Sequence, residues 1–354
     1  MQARPLREPP VAPAAPEPPP AVPDPPRPGR LLTLRSPVAR TLWRLGAGVP
    51  LAAGVRFWEA IGRYEHLHRL IMRVAGMPSW PGPGFGDYPP TARDVIVVTY
   101  PKSGTNLALQ LLTQLARGGR GEYEHIHDAC PWPDGLRLGA ATLRDDDGAG
   151  RFRAIKTHLP LAALPLPAEP GPARWVYVVR DPREVFVSSY HFVRGLAYGR
   201  AMPTVGSWVG TWERGEFHFG PWAEHIADWW PLRHRPDVLF LTFRELTRET
   251  PAALDRLAAF CGVTLSSEER AAVLRRSSRD WMKRHDDVFR PGVSLPWADG
   301  DTPMVRRGES GSAGELLSPD QAARVAAASK RRLAELGCDL PFDAMFGPPG
   351  DPPR

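Results

Sequence analysis

The 354-residue sequence predicts a three-layer α/β domain on a central, largely parallel sheet, preceded by an N-terminal region of different character. Three observations predict it. Short continuous apolar runs recur, as expected for strands covered on both faces. Glycine or proline turns follow them and lead into segments of helical period. Lysine, arginine, histidine and hydroxyl residues gather just beyond the runs, where open α/β sheets bind ligands.

The elements follow in order. Residues 1–30 hold 12 of the 42 prolines and no apolar stretch of signal-peptide type, and they read as a disordered proline-rich tail. Residues 31–90 read as a helical extension and linker. Helix is expected over 38–75, broken near Pro50, with Phe57, Ile61, Tyr64, Ile71 and Val74 on one face. A helix docked on the main domain is the simpler expectation, and contact of its arginines with an acidic membrane surface or an acidic partner is the alternative. Gly76 to Pro90 is a Pro/Gly linker.

The main domain is expected over 91–346. Val95 to Val98 forms the first strand, Lys102-Ser103-Gly104-Thr105 the turn, and Leu107, Leu111 and Leu115 mark the following helix, which stops at Gly118-Gly119. Arg151 to Thr157, Trp175 to Val179 and Val238 to Phe243 supply three more strands. Pro182 suits the first turn of a helix after Arg180-Asp181. Ser318 and Pro319 open a C-terminal helix that Gly337 closes.

Composition narrows the function. The chain carries a formal charge of +6, but residues 1–30 contribute +1 and residues 31–76 contribute +5, leaving the main body neutral. A neutral body argues against a nucleic-acid surface while permitting a local anion pocket. Three widely spaced cysteines, Cys130, Cys261 and Cys338, make neither a disulfide framework nor a zinc site, and they fit a reducing cytoplasm. No stretch has the apolar length of a membrane span. Only four of the 45 cationic residues are lysines, so Lys102 and Lys156 stand out where arginine is the default.

Four constellations carry chemistry. The turn Lys102-Ser103-Gly104-Thr105-Asn106 aims backbone N–H groups and a helix N-terminus at one point, which suits a phosphate. It is not a Walker A loop, because the chain has no Gly-Lys pair. Lys156-Thr157-His158 places a lysine and a histidine two apart, projecting alike from a strand end, and an imidazole there can take a proton from a hydroxyl. Arg180, with Ser188 eight residues on, and Arg306-Arg307-Gly308 form two further anion-directed groups. Three such groups around one sheet point to a ligand with more than one anionic group. His125-x-His127-Asp128 and His66-x-His68 contain metal-ligating types, but no metal is expected. No Gly-x-Ser-x-Gly elbow is present.

Together these segments resemble the cytosolic sulfotransferase family. The resemblance rests on Thr99-Tyr100-Pro101-Lys102-Ser103-Gly104-Thr105, on Lys156-Thr157-His158-Leu159-Pro160, on Arg180-Asp181-Pro182 through Ser188-Ser189-Tyr190-His191-Phe192, and on Arg306-Arg307-Gly308. They occur in the family's order and approximate spacing, over about residues 92–335. The resemblance implies a P-loop nucleotide-kinase-like fold and 3′-phosphoadenylyl sulfate (PAPS) as sulfuryl donor, without a metal. It implies that Lys102 through Asn106 hold the 5′-phosphosulfate and that Arg180, Ser188, Arg306, Arg307 and Gly308 hold the 3′-phosphate. It further implies His158 as general base, with Lys102 and Lys156 stabilising charge on the bridging and departing oxygens.

The chain departs from the family around the nucleoside. Leu107 stands where a tryptophan usually stacks on adenine, Arg279 where a phenylalanine covers the other face, and Phe243 where a tyrosine is usual. Gly311-Ser312-Ala313 replaces Gly-Asp-Trp. The implied acceptor is the hydroxyl or amine of a small molecule. Trp132, Trp208, Trp212, Phe217, Phe219 and Trp222 favour a phenolic, polyketide-like or steroid-like acceptor over a sugar, although several of these rings suit a core equally. A nucleotide kinase and a catalytically weak nucleotide-binding protein are the alternatives.

Overall fold

The computed structural model describes residues 37–74, 84–135, 142–146, 148–291, 294–298, 303–306, 308 and 310–347. The expected tail over 1–30 and much of the expected linker lie outside the described residues. In chain order the extension forms α1 (Pro37–Trp43), a π-turn (Arg44–Gly48), α2 (Val49–Ala60) and α3 (Tyr64–Val74). The main body forms β1 (Asp94–Thr99), α4 (Thr105–Ala116), α5 (Ile126–Ala129), β2 (Arg153–Thr157), β3 (Arg174–Val179), α6 (Pro182–Val193), α7 (Val205–Glu213) and α8 (Trp222–Trp229). It continues through β4 (Val238–Thr242), α9 (Phe243–Arg248), α10 (Thr250–Cys261), α11 (Ser267–Arg276), α12 (Arg279–Arg284), α13 (Pro319–Glu335) and α14 (Phe342–Phe346).

The four strands lie in the order β2-β1-β3-β4, all parallel. Alternate residues of β1 feed opposite layers. Ile96 and Val98 join Trp175 and Tyr177 against α6, α7, α8 and α13, while Val95 and Val97 join Val176 and Val178 against α4, α10 and α11. Both faces are covered, which is why these strands read as continuous apolar runs. Parallel order brings the C-terminal ends of all four strands to one edge, where Thr99, Thr157, Val179 and Thr242 end them. The sheet therefore has the three-layer architecture that the sequence predicts.

Three local expectations are corrected. The helical extension is not broken at Pro50: the π-turn runs directly into the first turn of α2, with Gly48 and Val49 in helical dihedrals, so the backbone passes the proline without leaving the helix. The break falls at Ile61-Gly62-Arg63, where Gly62 takes φ +67°. Consequently Phe57, Ile61, Tyr64 and Ile71 do not share a face: Tyr64 is buried, whereas Phe57 and Ile61 are exposed. The side chain of Val74 lies outside the described residues. Finally, Phe243 opens α9 instead of ending β4, because Thr242 and Glu245 form a capping box that starts the helix there.

The extension packs on the main body. Val55, Tyr64 and His68 are buried, His68 Nε2 donates to the Glu216 carbonyl at 2.6 Å, and Arg56 donates to the Met202 carbonyl at 2.7 Å.

Candidate active site

A cavity of about 230 Å³ opens at the C-terminal edge of the sheet. It brings together Lys102, Gly104, Thr105, Asn106, Lys156, His158, Arg180, Ser188, Phe243, Arg279, Arg306 and Gly308, which lie up to 206 positions apart in sequence. Ser103 sits just behind the wall, buried, with its hydroxyl unpartnered. Arg307 lies outside the described residues.

The turn after β1 is held open by its backbone. Lys102 has φ +71°, the single non-glycine positive φ among the described residues, a conformation that persists only where its surroundings fix it. Two contacts do so: its carbonyl accepts from Arg180 at 2.9 Å, and its ammonium lies over the Phe192 ring at 4.0 Å. Gly104 takes φ +100°, and a Cβ there would sit 2.5 Å from the Phe243 ring. Only glycine lets the turn lie flat against that ring.

Each of three cations rests on an aromatic face. Lys102 lies over Phe192, Lys156 over Trp132 at 3.4 Å, and Arg180 over Phe243 at 4.0 Å. Ring quadrupoles replace part of the lost hydration without neutralising the charge. Burial, with Arg180 and Lys156 nearby, pushes the Lys102 ammonium down to about 7, and burial pushes Lys156 down to about 7. Arg180 is also lowered by burial, although Glu184 pairs with it at 2.9 Å. Glu184 reaches further and accepts from the Gly311 N–H, tying the loop behind Arg306 to the first turn of α6. Arg306 in turn pairs with Glu315.

His158 is fixed in one tautomer. Its Nδ1 lies 2.8 Å from the Thr99 carbonyl, which can only accept, so Nδ1 carries the proton and Nε2 keeps its lone pair. Its backbone N–H donates to Asp134 at 2.9 Å, and Trp132 meets its ring edge-on. Burial, and then the Lys156 charge, hold the imidazole well below its ordinary value. At neutral pH it is an uncharged ring, the form a general base needs.

The aromatic residues divide. Trp132 and Phe219 line the cavity, whereas Trp208, Trp212, Phe217 and Trp222 are buried in the core beneath α6, α7 and α8. The spacing of all six suits either role, and only the tertiary packing separates them. Phe192, Phe289 and Pro291 also line the cavity, and the sequence had not marked them as wall residues. The same is true of His127. Its Nδ1 donates to the Cys130 carbonyl at 3.2 Å, which presents Nε2 to the Lys156 ammonium at 3.4 Å. His125 serves α5 instead: Nδ1 accepts from the His127 N–H and Nε2 donates to the Arg290 carbonyl. Among the described residues, no group of histidine, cysteine and carboxylate side chains is arranged to hold a metal. Likewise none of the described helices is long and apolar enough to cross a membrane.

Comparison with known proteins places this geometry. The sulfotransferase domain family matches residues 92–337. Sulfotransferase 2A1 of Macaca fascicularis is 28% identical over 250 residues, spanning 70% of this chain and 86% of that protein. The 3-beta-hydroxysteroid sulfotransferase of Cavia porcellus is 30% identical over 196 residues, 54% of this chain and 67% of that protein. Among solved structures, retinol dehydratase in complex with retinol and PAP superimposes with a TM-score of 0.57 at 24% identity, over 71% of this chain and 84% of that one. Mouse sulfotransferase SULT7A1 complexed with PAP gives 0.54 at 19%, over 72% and 88%. Both share the fold. The family match covers the strand-end motifs and the sheet that presents them, and the nucleotide-kinase alternative falls away. The chain belongs to the sulfotransferase family, of the cytosolic type that moves a sulfuryl group from PAPS to a small acceptor.

Proposed function

We propose that this cavity binds PAPS through the Lys102 turn, Arg180, Ser188, Arg306 and Gly308, and that His158 deprotonates a hydroxyl or amine of a small, ring-bearing acceptor. The observation that carries this reading is the neutral His158, locked by Thr99 with Nε2 as its basic nitrogen, on the same wall as two desolvated lysines.

The wall fits a polyanion. Lys156 and Arg180 are buried and Lys102 is half-buried, and the nearby carboxylates Glu184 and Asp134 are already engaged by Arg180 and by the His158 N–H. The buried hydroxyls of Ser103, Ser277 and Ser312 have no protein partner. Crowded cations and unmet donors of this kind are satisfied by an anionic ligand with several oxygens. When bound, PAPS supplies an activated sulfuryl group and a bisphosphate leaving group.

The chain's own residues divide the remaining work. His158 Nε2 accepts the acceptor's proton as its oxygen attacks, while the Thr99 carbonyl holds the ring in orientation. Lys156 and Lys102 face the charge that gathers on the transferring and departing oxygens, in a site where low polarity makes each worth more than in water. Trp132, Phe219 and Phe289 offer the acceptor flat apolar contacts, which favours phenolic, polyketide-like or steroid-like molecules over carbohydrates. Incubation with PAPS and matched panels of phenols, sterols and sugars tests this, with release of adenosine 3′,5′-bisphosphate as the readout. Product on ring-bearing hydroxyls is expected. Sulfation confined to the sugars overturns the acceptor assignment, and no bisphosphate release with any acceptor overturns the donor assignment.

A further inference from the structure

Exposed apolar side chains are concentrated in one place. Of ten large hydrophobic residues recorded as exposed among the described residues, eight lie between Val38 and Leu70. Six of them, Val38, Leu42, Leu45, Val49, Phe57 and Ile61, are between 49% and 69% exposed. Their spacing of three or four residues (twice that between Val49 and Phe57, where the exposed Ala53 falls) is the period of one helix face. The π-turn Arg44–Gly48 contributes to that alignment. Its wider turn absorbs part of the drift that successive four-residue steps would otherwise accumulate. The other sides of the helix are used: Gly48 and the half-exposed Trp43 lie against Trp297, and Val55 is in the core. The result is a continuous apolar ridge on a helix whose other face is docked.

The charge around the ridge is net positive, with Arg56 paired to Glu59 and Arg69 to Glu216. Described residues 37–74 carry six arginines, Arg40, Arg44, Arg56, Arg63, Arg69 and Arg73, against Glu59 and Glu65. A second copy of this chain is a poor occupant, because a ridge-to-ridge contact would bring two such clusters together. A bilayer with anionic headgroups matches both features, since it takes apolar side chains at the acyl boundary and attracts the arginines at the surface.

We propose that this ridge docks the enzyme reversibly on an anionic membrane surface. The helix lies in the interface, with Leu42, Leu45 and Phe57 inserted and the arginines at headgroup level. The proposal does not depend on which acceptor the cavity takes.

Flotation of the full chain with phosphatidylcholine vesicles, with and without about 30% phosphatidylserine, tests the proposal. Binding is expected to the anionic vesicles, falling roughly tenfold or more on neutral ones and falling again at about 0.5 M salt. The double variant Leu42→Glu/Leu45→Glu is expected to lose vesicle binding while retaining affinity for adenosine 3′,5′-bisphosphate in solution, which shows that it remains folded. Three results overturn the proposal: no binding to anionic vesicles, equal binding to neutral and anionic vesicles, or vesicle binding unchanged in the double variant. A concentration-dependent dimer that the double variant abolishes also overturns it, assigning the ridge to self-association.

Discussion

The cavity has two walls built in different ways. At the sheet edge, Lys102, Lys156, His158 and Arg180 stand at the ends of three parallel strands or in the turns just after them, each fixed by a hydrogen bond or an aromatic face. Opposite them, Leu107, Thr247, Ser278, Arg279 and Met282 come from helices α4, α9 and α12 and the cap of α12. There Leu107 is only partly buried and Arg279 is exposed, its stem lying against Gly308. The first wall supplies charge and a base in places the sheet dictates. The second supplies adaptable apolar and hydroxyl contacts. Under the proposed reading, reaction chemistry and anion binding fall to the sheet-edge wall and the nucleoside to the helical one.

The largest effect should come from His158. His158→Ala is expected to lower turnover roughly 10²–10⁴-fold, the range for loss of a general base, with affinity for adenosine 3′,5′-bisphosphate nearly unchanged. Near-normal turnover would break the assignment of the base to this wall. Lys102→Ala comes next. A charge-assisted contact contributes about 1.5–3 kcal/mol, so calorimetry should show the bisphosphate bound roughly 10- to 150-fold more weakly. Arg180→Ala is a poorer probe of the same wall, because it also strands the buried Glu184 carboxylate.

A smaller signature is protonic. Lys102 and Lys156 are pushed down to about 7 in the free protein, so both are largely neutral at about pH 8. A bound polyanion favours their charged forms and raises both, so binding at that pH should take up protons, and binding at about pH 5.5, where both are already charged, should take up almost none. Calorimetry in buffers of different ionisation enthalpy reads this directly. Proton release at the higher pH would contradict it. The smallest change is expected on the opposite wall, where Leu107→Trp should leave bisphosphate affinity unchanged or tighten it modestly by restoring a stacking surface.

The same contrast explains what was legible in the sequence. Val95–Val98, the turn after it and Lys156-Thr157-His158 are local patterns whose positions follow once the strands are parallel, so twelve of the proposed site residues meet in one cavity. The partners of those residues were not legible. Phe192 is 90 positions from Lys102, Trp132 is 24 from Lys156, and His127 is 29 from Lys156, so only tertiary packing joins them. The acceptor-wall rings were half legible for the same reason. Trp208 and Trp222 carry the same apolar signature as Trp132, and their burial depends on tertiary neighbours: His68 of α3 and Tyr190 of α6 against Trp208, and Phe342 and Phe346 of α14 against Trp222. In the extension the mistaken break at Pro50 came from treating proline as a breaker without its position in the turn, whereas Gly62 marks the real end.

The most direct measurement of the contrast between the walls compares adenosine 3′,5′-bisphosphate with adenosine on the unmodified protein by calorimetry. If the sheet-edge wall carries donor binding, the bisphosphate should bind at least roughly 10²-fold more tightly, the equivalent of two charge-assisted contacts at the low end of about 1.5–3 kcal/mol each. Comparable affinities for the two ligands would place the binding energy on the nucleoside wall and contradict the account.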